Sequence, residues 1–330
     1  MGRARGTTSL ANKGREGTGT SKPEGASRAP AGATVIINPA LLRRWALPQP
    51  DEGGDKEERG RALVVGGEGE TPGAVVLAAE AALRAGAGKL RVAVPRGIAQ
   101  TVAAAVPEAR VFGLPETGTG VISGRAAGKI VELAGGVQCV LVGPGMIDER
   151  AAESLMKKVL PRIKGATVIL DAAALACLKA SGRNSHPRDS RIVLTPNADE
   201  MAGLLGESIS SIKRDPPACA RRAARDFRAV VALKGEETSI VSPDGPEIYL
   251  NRAGNVGLAT SGSGDVLAGL VAGLAARGAE PLRAAVWGVY LHARAGDKLA
   301  QRVGPLGYLA RELSREVPRL MSELSRRKRS

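Results

Sequence analysis

Aromatic side chains are scarce: two Phe, two Trp and three Tyr stand among 330 residues. So few rings give single-stranded bases little to stack on, and any core must be aliphatic. Cysteine is nearly as rare. Cys139, Cys177 and Cys219 are widely spaced, form no CxxC pair and have no histidine pair nearby. Neither a zinc site nor a disulfide framework is readable, and a reducing cytoplasm is the natural compartment. The longest apolar run, Val266 to Ala276, is well short of the ~18 residues that cross a bilayer. The N-terminus has no apolar stretch of the signal-peptide kind. Of the two histidines, His292 sits in the apolar run Val289–Ala293, where a packed, hydrogen-bonded core role is expected. His186 falls in a polar loop and reads as solvated. No GxSxG elbow occurs, so a hydrolase of that type has no support.

What the chain does have is glycine, 43 residues of it, and a hydrophobic fraction of 43%, enough to fill a large core. Its formal net charge is +14, but much of the excess sits at the ends. Residues 1–33 hold six basic and two acidic side chains, and Arg326, Arg327, Lys328 and Arg329 close the chain. Solvated tails explain such a distribution better than a nucleic-acid surface does, so no nucleic-acid partner is expected. Residues 1–34 read as a disordered basic leader, 35–325 as one domain and 326–330 as a basic tail.

From about Thr34 the texture changes to short aliphatic runs that alternate with alanine-rich stretches. Strands are expected at Arg61–Gly66, Lys89–Val94, Gln138–Gly143, Thr167–Asp171, Arg191–Leu194 and Val230–Leu233. These runs are apolar without alternation, as when both sheet faces are covered. Helices are expected at Pro72–Ala85, Glu149–Lys164, Ala172–Lys179, Ala198–Leu205 and Pro217–Phe227. Regular alternation of the two implies βαβ units and a mostly parallel, doubly wound sheet. Near the end, Thr238–Val241 and Ile248–Asn251 flank the turn Ser242-Pro243-Asp244-Gly245-Pro246, a hairpin signal. Three helices then follow, roughly Gly264–Arg277, Pro281–Arg302 and Gly307–Ser325.

The familiar phosphate motifs fail. Gly86-Ala87-Gly88-Lys89 continues into Leu90, which is not a P-loop, and Gly67-Glu68-Gly69-Glu70-Thr71-Pro72 ends in proline where a dinucleotide fingerprint needs glycine. A third candidate survives: Thr260-Ser261-Gly262-Ser263-Gly264-Asp265 leads straight into an apolar helix. Free N–H groups at a helix start bind anions, and glycines let a phosphate come close. A carboxylate beside such a turn is what phosphoryl transfer to a hydroxyl requires. Glycine-rich or polar loops also follow the earlier strands: Gly66–Ala74, Gly143-Pro144-Gly145, Asp171, and Thr195–Glu200. Together they place a site at the carboxyl ends of the strands.

With these segments in hand, the chain resembles the NAD(P)H-hydrate dehydratase family, whose fold is ribokinase-like, a three-layer α/β/α sandwich with a mostly parallel central sheet. The matching segments are VVGGEGETPGAVVLAAEAALRAGAG, VGPG, LTPNADE, ALKGEETSIV, NVGLATSGSGDVLAGLVAGLAARG and VYLHARAGD, spread over about residues 36–322. The resemblance implies repair of damaged nicotinamide cofactor: the S-epimer of hydrated NADH or NADPH is phosphorylated on its ring hydroxyl by ADP or ATP, and phosphate then leaves. It implies Asp265 as the catalytic base. Ala74, Gly145, Asn197 and Asp265 would contact the hydrate. Lys234, Gly235, Glu236, Glu237, Thr238, Asn255, Gly262, Ser263 and Gly264 would line the nucleotide site. Mg²⁺ would accompany the nucleotide phosphates, with no metal held by protein ligands alone. Family members are commonly homotetramers, and a cytoplasmic homo-oligomer is expected. Bifunctional members carry an epimerase domain ahead of the dehydratase; here the match begins near Ile36, so that activity is not expected.

Several positions depart from the family pattern. Asn197 stands where the family has His in TPHxxE, which keeps hydrogen bonding but cannot carry a proton. Ala173 replaces the second acid of DADAL, Ser261 replaces a glycine, and Asp55–Gly60 stands where HKG is usual. Two other readings follow. One is a small-molecule kinase of the same fold acting on a vitamin-precursor alcohol, which the altered pocket positions Asn197 and Ala173 would suit. The other is a non-catalytic nucleotide- or nucleic-acid-binding protein working through its basic ends.

Overall fold

The computed structural model describes residues 32–49, 59–181 and 191–325. The leader up to residue 31, the tail, the loop holding His186 and most of the segment in place of HKG lie outside the described residues. Ten strands form one sheet: β1 Thr34–Ile36, β2 Arg61–Val65, β3 Lys89–Pro95, β4 Arg110–Leu114, β5 Cys139–Val142, β6 Thr167–Leu170, β7 Arg191–Leu194, β8 Val230–Leu233, β9 Thr238–Val241 and β10 Ile248–Asn251. Their spatial order is β1-β10-β9-β8-β7-β6-β5-β2-β3-β4. Only β9 runs against its neighbours, and β9 and β10 form the hairpin expected from the proline–glycine turn.

Both faces of the sheet are covered. Along β2, Ala62 and Val64 join one core and Leu63 and Val65 the other, and β5 splits the same way. This two-sided burial is the reason the strands read as unbroken apolar runs. One layer contains α1 Pro39–Arg44, α2 Pro72–Arg84, α3 Ala99–Ala105, α10 Ser263–Ala276, α11 Pro281–Arg302 and α12 Ala310–Ser325. The other contains α4 Ala127–Ala134, α5 Glu149–Val159, α6 Ala176–Ser181, α7 Ala198–Leu205, α8 Ile209–Arg214 and α9 Pro216–Phe227. The architecture is the expected three-layer α/β/α sandwich. No helix among the described residues is long and apolar enough to cross a membrane.

The short elements β1, β4, α1, α3, α4 and α8 were not expected from the sequence pattern. β1 and β4 are edge strands only partly buried, so their apolar signal is weak. Two helices end differently from expectation. α5 stops at Val159 because Pro161 cannot continue an α-helix, and a 3₁₀ turn Leu160–Arg162 follows. The run from Ala172 opens as a 3₁₀ turn, with Ala172 itself at φ 47°, before α6 begins.

Three of the scarce aromatics meet beside α1. Trp45 and Tyr249 pack with ring centroids 5.0 Å apart, and the Trp287 indole N–H donates to the Trp45 carbonyl at 2.7 Å. This closes the segment around α1 over the sheet end and satisfies the one polar atom of a buried indole.

Candidate active site

Strands β2, β3 and β4 run outward in one direction, and β5 returns to pair with β2 before the chain runs the other way. The order reverses between β2 and β5, and the loops at their carboxyl ends diverge around a crevice there. Gly143 begins the second loop at φ 130°, and an added Cβ would lie 1.9 Å from the Asp171 carbonyl, so only glycine lets β5 exit against β6. Gly145 follows at φ 69°, beside Ala74 in the first turn of α2.

Asp265 stands in the first turn of α10, whose N-cap, Gly262, sits at φ 84°. The Ser263 N–H is spent on Thr260 and the Val266 N–H on Gly262. Gly264 lies between them and leaves the turn open: a Cβ there would be 3.5 Å from the Lys234 ammonium. Burial raises the Asp265 carboxyl to about 6; nearby Asp171 adds to this, while Lys234 and the neighbouring backbone at Gly145 pull it back. A carboxylate poised there can take a proton near neutral pH.

Lys234 leaves the end of β8 and is held among acids. Its Nζ lies 3.1 Å from Asp171 Oδ1 and 3.6 Å from Glu200 Oε2. Burial would lower its proton affinity, yet Asp171, Glu200 and Asp265 outweigh that and hold it above the ordinary lysine range. Thr195 Oγ1 donates to Asp171 Oδ1 at 2.7 Å, so the buried carboxylate has two partners. The Lys234 N–H also donates to the Pro196 carbonyl at 2.8 Å, which ties the loops after β7 and β8 together. Asp171, Glu200 and Thr195 were not among the expected site residues. Asp171 and the Thr195–Glu200 loop were legible only as polar positions after strands, and their convergence on one lysine needs the sheet order β6-β7-β8.

Asn197 caps α7 in a reciprocal box. Its Oδ1 accepts the Glu200 N–H at 2.9 Å, and the Glu200 carboxylate accepts the Asn197 N–H at 2.7 Å. Asparagine is a better N-cap than histidine, which gives this substitution a local structural reason. Burial raises Glu200 above the usual carboxylate range.

Asn255 caps the short 3₁₀ turn Val256–Leu258. Its Oδ1 accepts from the Gly257 N–H at 3.0 Å and the Tyr308 hydroxyl at 2.9 Å, and its Nδ2 reaches Asp297 at 3.4 Å. That side chain is thus engaged within the protein, and it shapes the loop ahead of the glycine turn. His292 on α11 places Nε2 3.0 Å from both Ser263 Oγ and the Ser263 carbonyl. Burial pushes its proton affinity down to about 4, so the ring is neutral, and it is the hydrogen-bonded packing residue expected. Glu236 and Gly235 are exposed after β8, and Glu237 pairs with Arg252 at 2.7 Å. Thr238 opens β9 opposite Asn251 at the same sheet edge.

The structure therefore draws Ala74, Gly145 and Asp265 together at the switch point. Lys234, Gly264 and the Asn197 turn flank them. A helix-start anion turn, a lysine and a poised carboxylate at the carboxyl edge of an α/β/α sandwich define the ribokinase-like class of phosphoryl-transfer proteins. A family model described as NAD(P)H-hydrate dehydratase matches residues 62–319, and the chain belongs to this family. It is 45% identical over 291 residues to the ADP-dependent (S)-NAD(P)H-hydrate dehydratase of Xanthomonas campestris, covering 88% of this chain and 97% of that one. It is 41% identical to the bifunctional NAD(P)H-hydrate repair enzyme Nnr of Moorella thermoacetica, of which it spans 56%. The crystal structure of the ADP/ATP-dependent NAD(P)H-hydrate dehydratase from Bacillus subtilis, co-crystallised with ATP/Mg²⁺, matches with a TM-score of 0.76 at 27% identity, covering 88% of this chain and 99% of that one.

Proposed function

We propose that this chain dehydrates the S-epimer of hydrated NADH or NADPH, with ADP or ATP as phosphoryl donor. The observation that carries the reading is Asp265: a half-buried carboxylate at a helix start, beside a glycine turn and a lysine. In the first step Asp265 takes the proton of the ring hydroxyl as its oxygen bonds to the terminal phosphorus of the nucleotide. The bond to the bridging oxygen breaks and the shortened nucleotide leaves. The Gly264 backbone N–H, left open between the spent Ser263 and Val266 donors, and the Lys234 ammonium stabilise the charge on the transferred group. In the second step the ring C–O bond breaks, phosphate departs with the electron pair, and the neighbouring carbon gives up a proton to restore the ring double bond. Phosphorylation is needed because hydroxide is a poor leaving group and phosphate a good one.

Ala74, Gly145, Asn197 and Asp265 contact the hydrate in this reading. Lys234 to Thr238, Asn255 and Gly262 to Gly264 line the nucleotide. Among the described residues no three acidic, histidine or cysteine side chains converge as a metal cage, and the Lys234 ammonium already stands between Asp171 and Glu200. Mg²⁺ would thus come with the nucleotide and be held through phosphate oxygens and water. No step above is routed through it. The enzyme works in the cytoplasm as a homo-oligomer, a tetramer, which light scattering of the purified protein tests. The activity is tested by dihydronicotinamide absorbance after adding hydrated NADH and either nucleotide. Recovery that depends on one nucleotide and vanishes in Asp265→Asn supports the reading and names the donor. Bound nucleotide with no recovery overturns it in favour of another acceptor alcohol.

A further inference from the structure

The turn that starts α10 leaves one backbone donor open, the Gly264 N–H, between the Ser263 and Val266 donors spent on Thr260 and Gly262. Its local support is slight. Gly262 and Gly264 flank Ser263, so neither neighbour restrains the chain with a side chain, and α10 has no side-chain cap. The hold comes from another helix. His292 of α11 places Nε2 3.0 Å from the Ser263 carbonyl oxygen and 3.0 Å from Ser263 Oγ. A carbonyl oxygen only accepts, so Nε2 carries the hydrogen and donates it. The Ser263 hydroxyl oxygen shares that hydrogen and cannot itself donate to Nε2.

The Ser263 carbonyl and the Gly264 N–H are the two ends of one peptide unit. That unit is planar and trans, so its C=O and N–H point in opposite directions. A hydrogen bond that fixes the carbonyl therefore fixes the direction of the amide hydrogen. It also polarises the peptide and makes the N–H a stronger donor. Gly264 borders the Lys234 ammonium, 3.5 Å from where its Cβ would stand, so this donor lies beside the cation of the site.

We propose that His292 is a positioning residue for phosphoryl transfer: by holding the Ser263 carbonyl it aims the Gly264 N–H at the transferred group. His292 touches no reacting atom. The inference rests on the reaction proposed above, in which that N–H stabilises the transferred group.

A histidine that only packed would be replaceable by an apolar side chain of similar size, at a cost in stability alone. A positioning histidine is replaceable only by another donor that reaches the same carbonyl. Leucine removes the donor, whereas the glutamine carboxamide offers an N–H at nearly the reach of Nε2.

The test follows the ¹H–¹⁵N resonance of Gly264, assigned by its disappearance in Gly264→Ala, as ADP or ATP is added with Mg²⁺. The kcat and nucleotide KM are measured alongside. Native protein, His292→Leu and His292→Gln are compared below the Tm of each. Nucleotide should move the Gly264 resonance in the native protein. In His292→Leu that movement should fall by roughly half or more, and kcat by roughly 10- to 100-fold, less than the loss of a whole oxyanion-hole donor. The nucleotide KM should change far less than kcat, because the aimed donor matters most as charge develops. His292→Gln should restore most of both. A folded His292→Leu with native kcat, or with the native movement of Gly264, overturns the proposal. If neither variant folds, the ¹⁵N spectrum of His292 in the native protein decides: hydrogen on Nε2 supports the proposal, and hydrogen on Nδ1 alone overturns it. Native protein that fails to dehydrate hydrated NADH would sink the reaction proposed above, and the Gly264 resonance would still decide whether His292 acts on that amide.

Discussion

Two helical layers cover the same sheet by different physical means. On one side, α5 buries Ala152, Leu155, Met156 and Val159, and α9 buries Ala220, Ala223, Ala224 and Phe227. Each is one stripe at i, i+3, i+4 and i+7, the pattern of a surface helix that lays side chains on a sheet. On the other side, α10 is buried on almost every face and meets α2 with no room for a methyl group. A Cβ on Gly269 would lie 2.3 Å from the Ala78 carbonyl, and one on Gly273 would lie 2.2 Å from that of Ala82. The first layer is located by side-chain volume, which can repack. The second is located by backbone against backbone, which cannot. Asp265, the proposed base, rides on the second, so a backbone-to-backbone contact sits under the proposed site.

The largest expected effect tests what α10 carries. Asp265→Asn should lower kcat by roughly 10²- to 10⁴-fold, the ordinary weight of a positioned base, read from absorbance recovery. In the native enzyme kcat should rise with pH through about 6, because the base must be ionised. The same variant sharpens the comparison by stability. The folded protein holds the Asp265 proton more tightly than the unfolded chain does, so folding is disfavoured once pH rises past its folded value. Asp265→Asn should therefore raise Tm at neutral pH, with the gain vanishing in acid below the unfolded value.

Next in size is the contrast between layers. Gly269→Val should cost about 3 kcal/mol or more and lower kcat as well, since α10 must shift to admit the side chain. Leu155→Ala in α5, which is fully buried, should cost about 2–5 kcal/mol with kcat at permissive temperature nearly unchanged. Equal losses of kcat in both variants, each corrected for the folded fraction, would break the distinction. Lys234→Met should lower kcat/KM by roughly 10- to 100-fold, because Asp171 is left buried without its cation and the transferred group loses a positive neighbour. The smallest effect expected is from Asn255→Ala. Loss of its cap to Gly257 and its bond from Tyr308 should raise the nucleotide KM several-fold, at about 1 kcal/mol of stability.

Much of the site was legible because its chemistry is local. The run Gly262–Asp265 announces an anion turn from residue types alone, and the structure places it at the start of α10. Asp171, Glu200 and Thr195 were not legible as a unit, since each is an ordinary polar residue after a strand. His292 was legible only as a packed, hydrogen-bonded residue: its partners lie 29 positions back, at the start of another helix. The departures from the family pattern divide in the same way. Asn197 is explained by the capping box it forms with Glu200. For Ser261 nothing in the structure supplies a reason.

By itself the sequence determined the layered α/β class, the β-hairpin, the long helices and the glycine turn with its aspartate, because period, turn chemistry and helix-start signals act over a few neighbouring residues. The tertiary structure alone decided the rest. The reversal of strand order between β2 and β5 sets which loops face one another, and the order β6-β7-β8 brings Asp171, Glu200 and Lys234 into contact. The close approach of α2 and α10 fixes where Asp265 stands. These are pairings between residues far apart in the chain, and no local propensity encodes the partner: burial and backbone hydrogen bonding choose it only when the whole sheet has assembled.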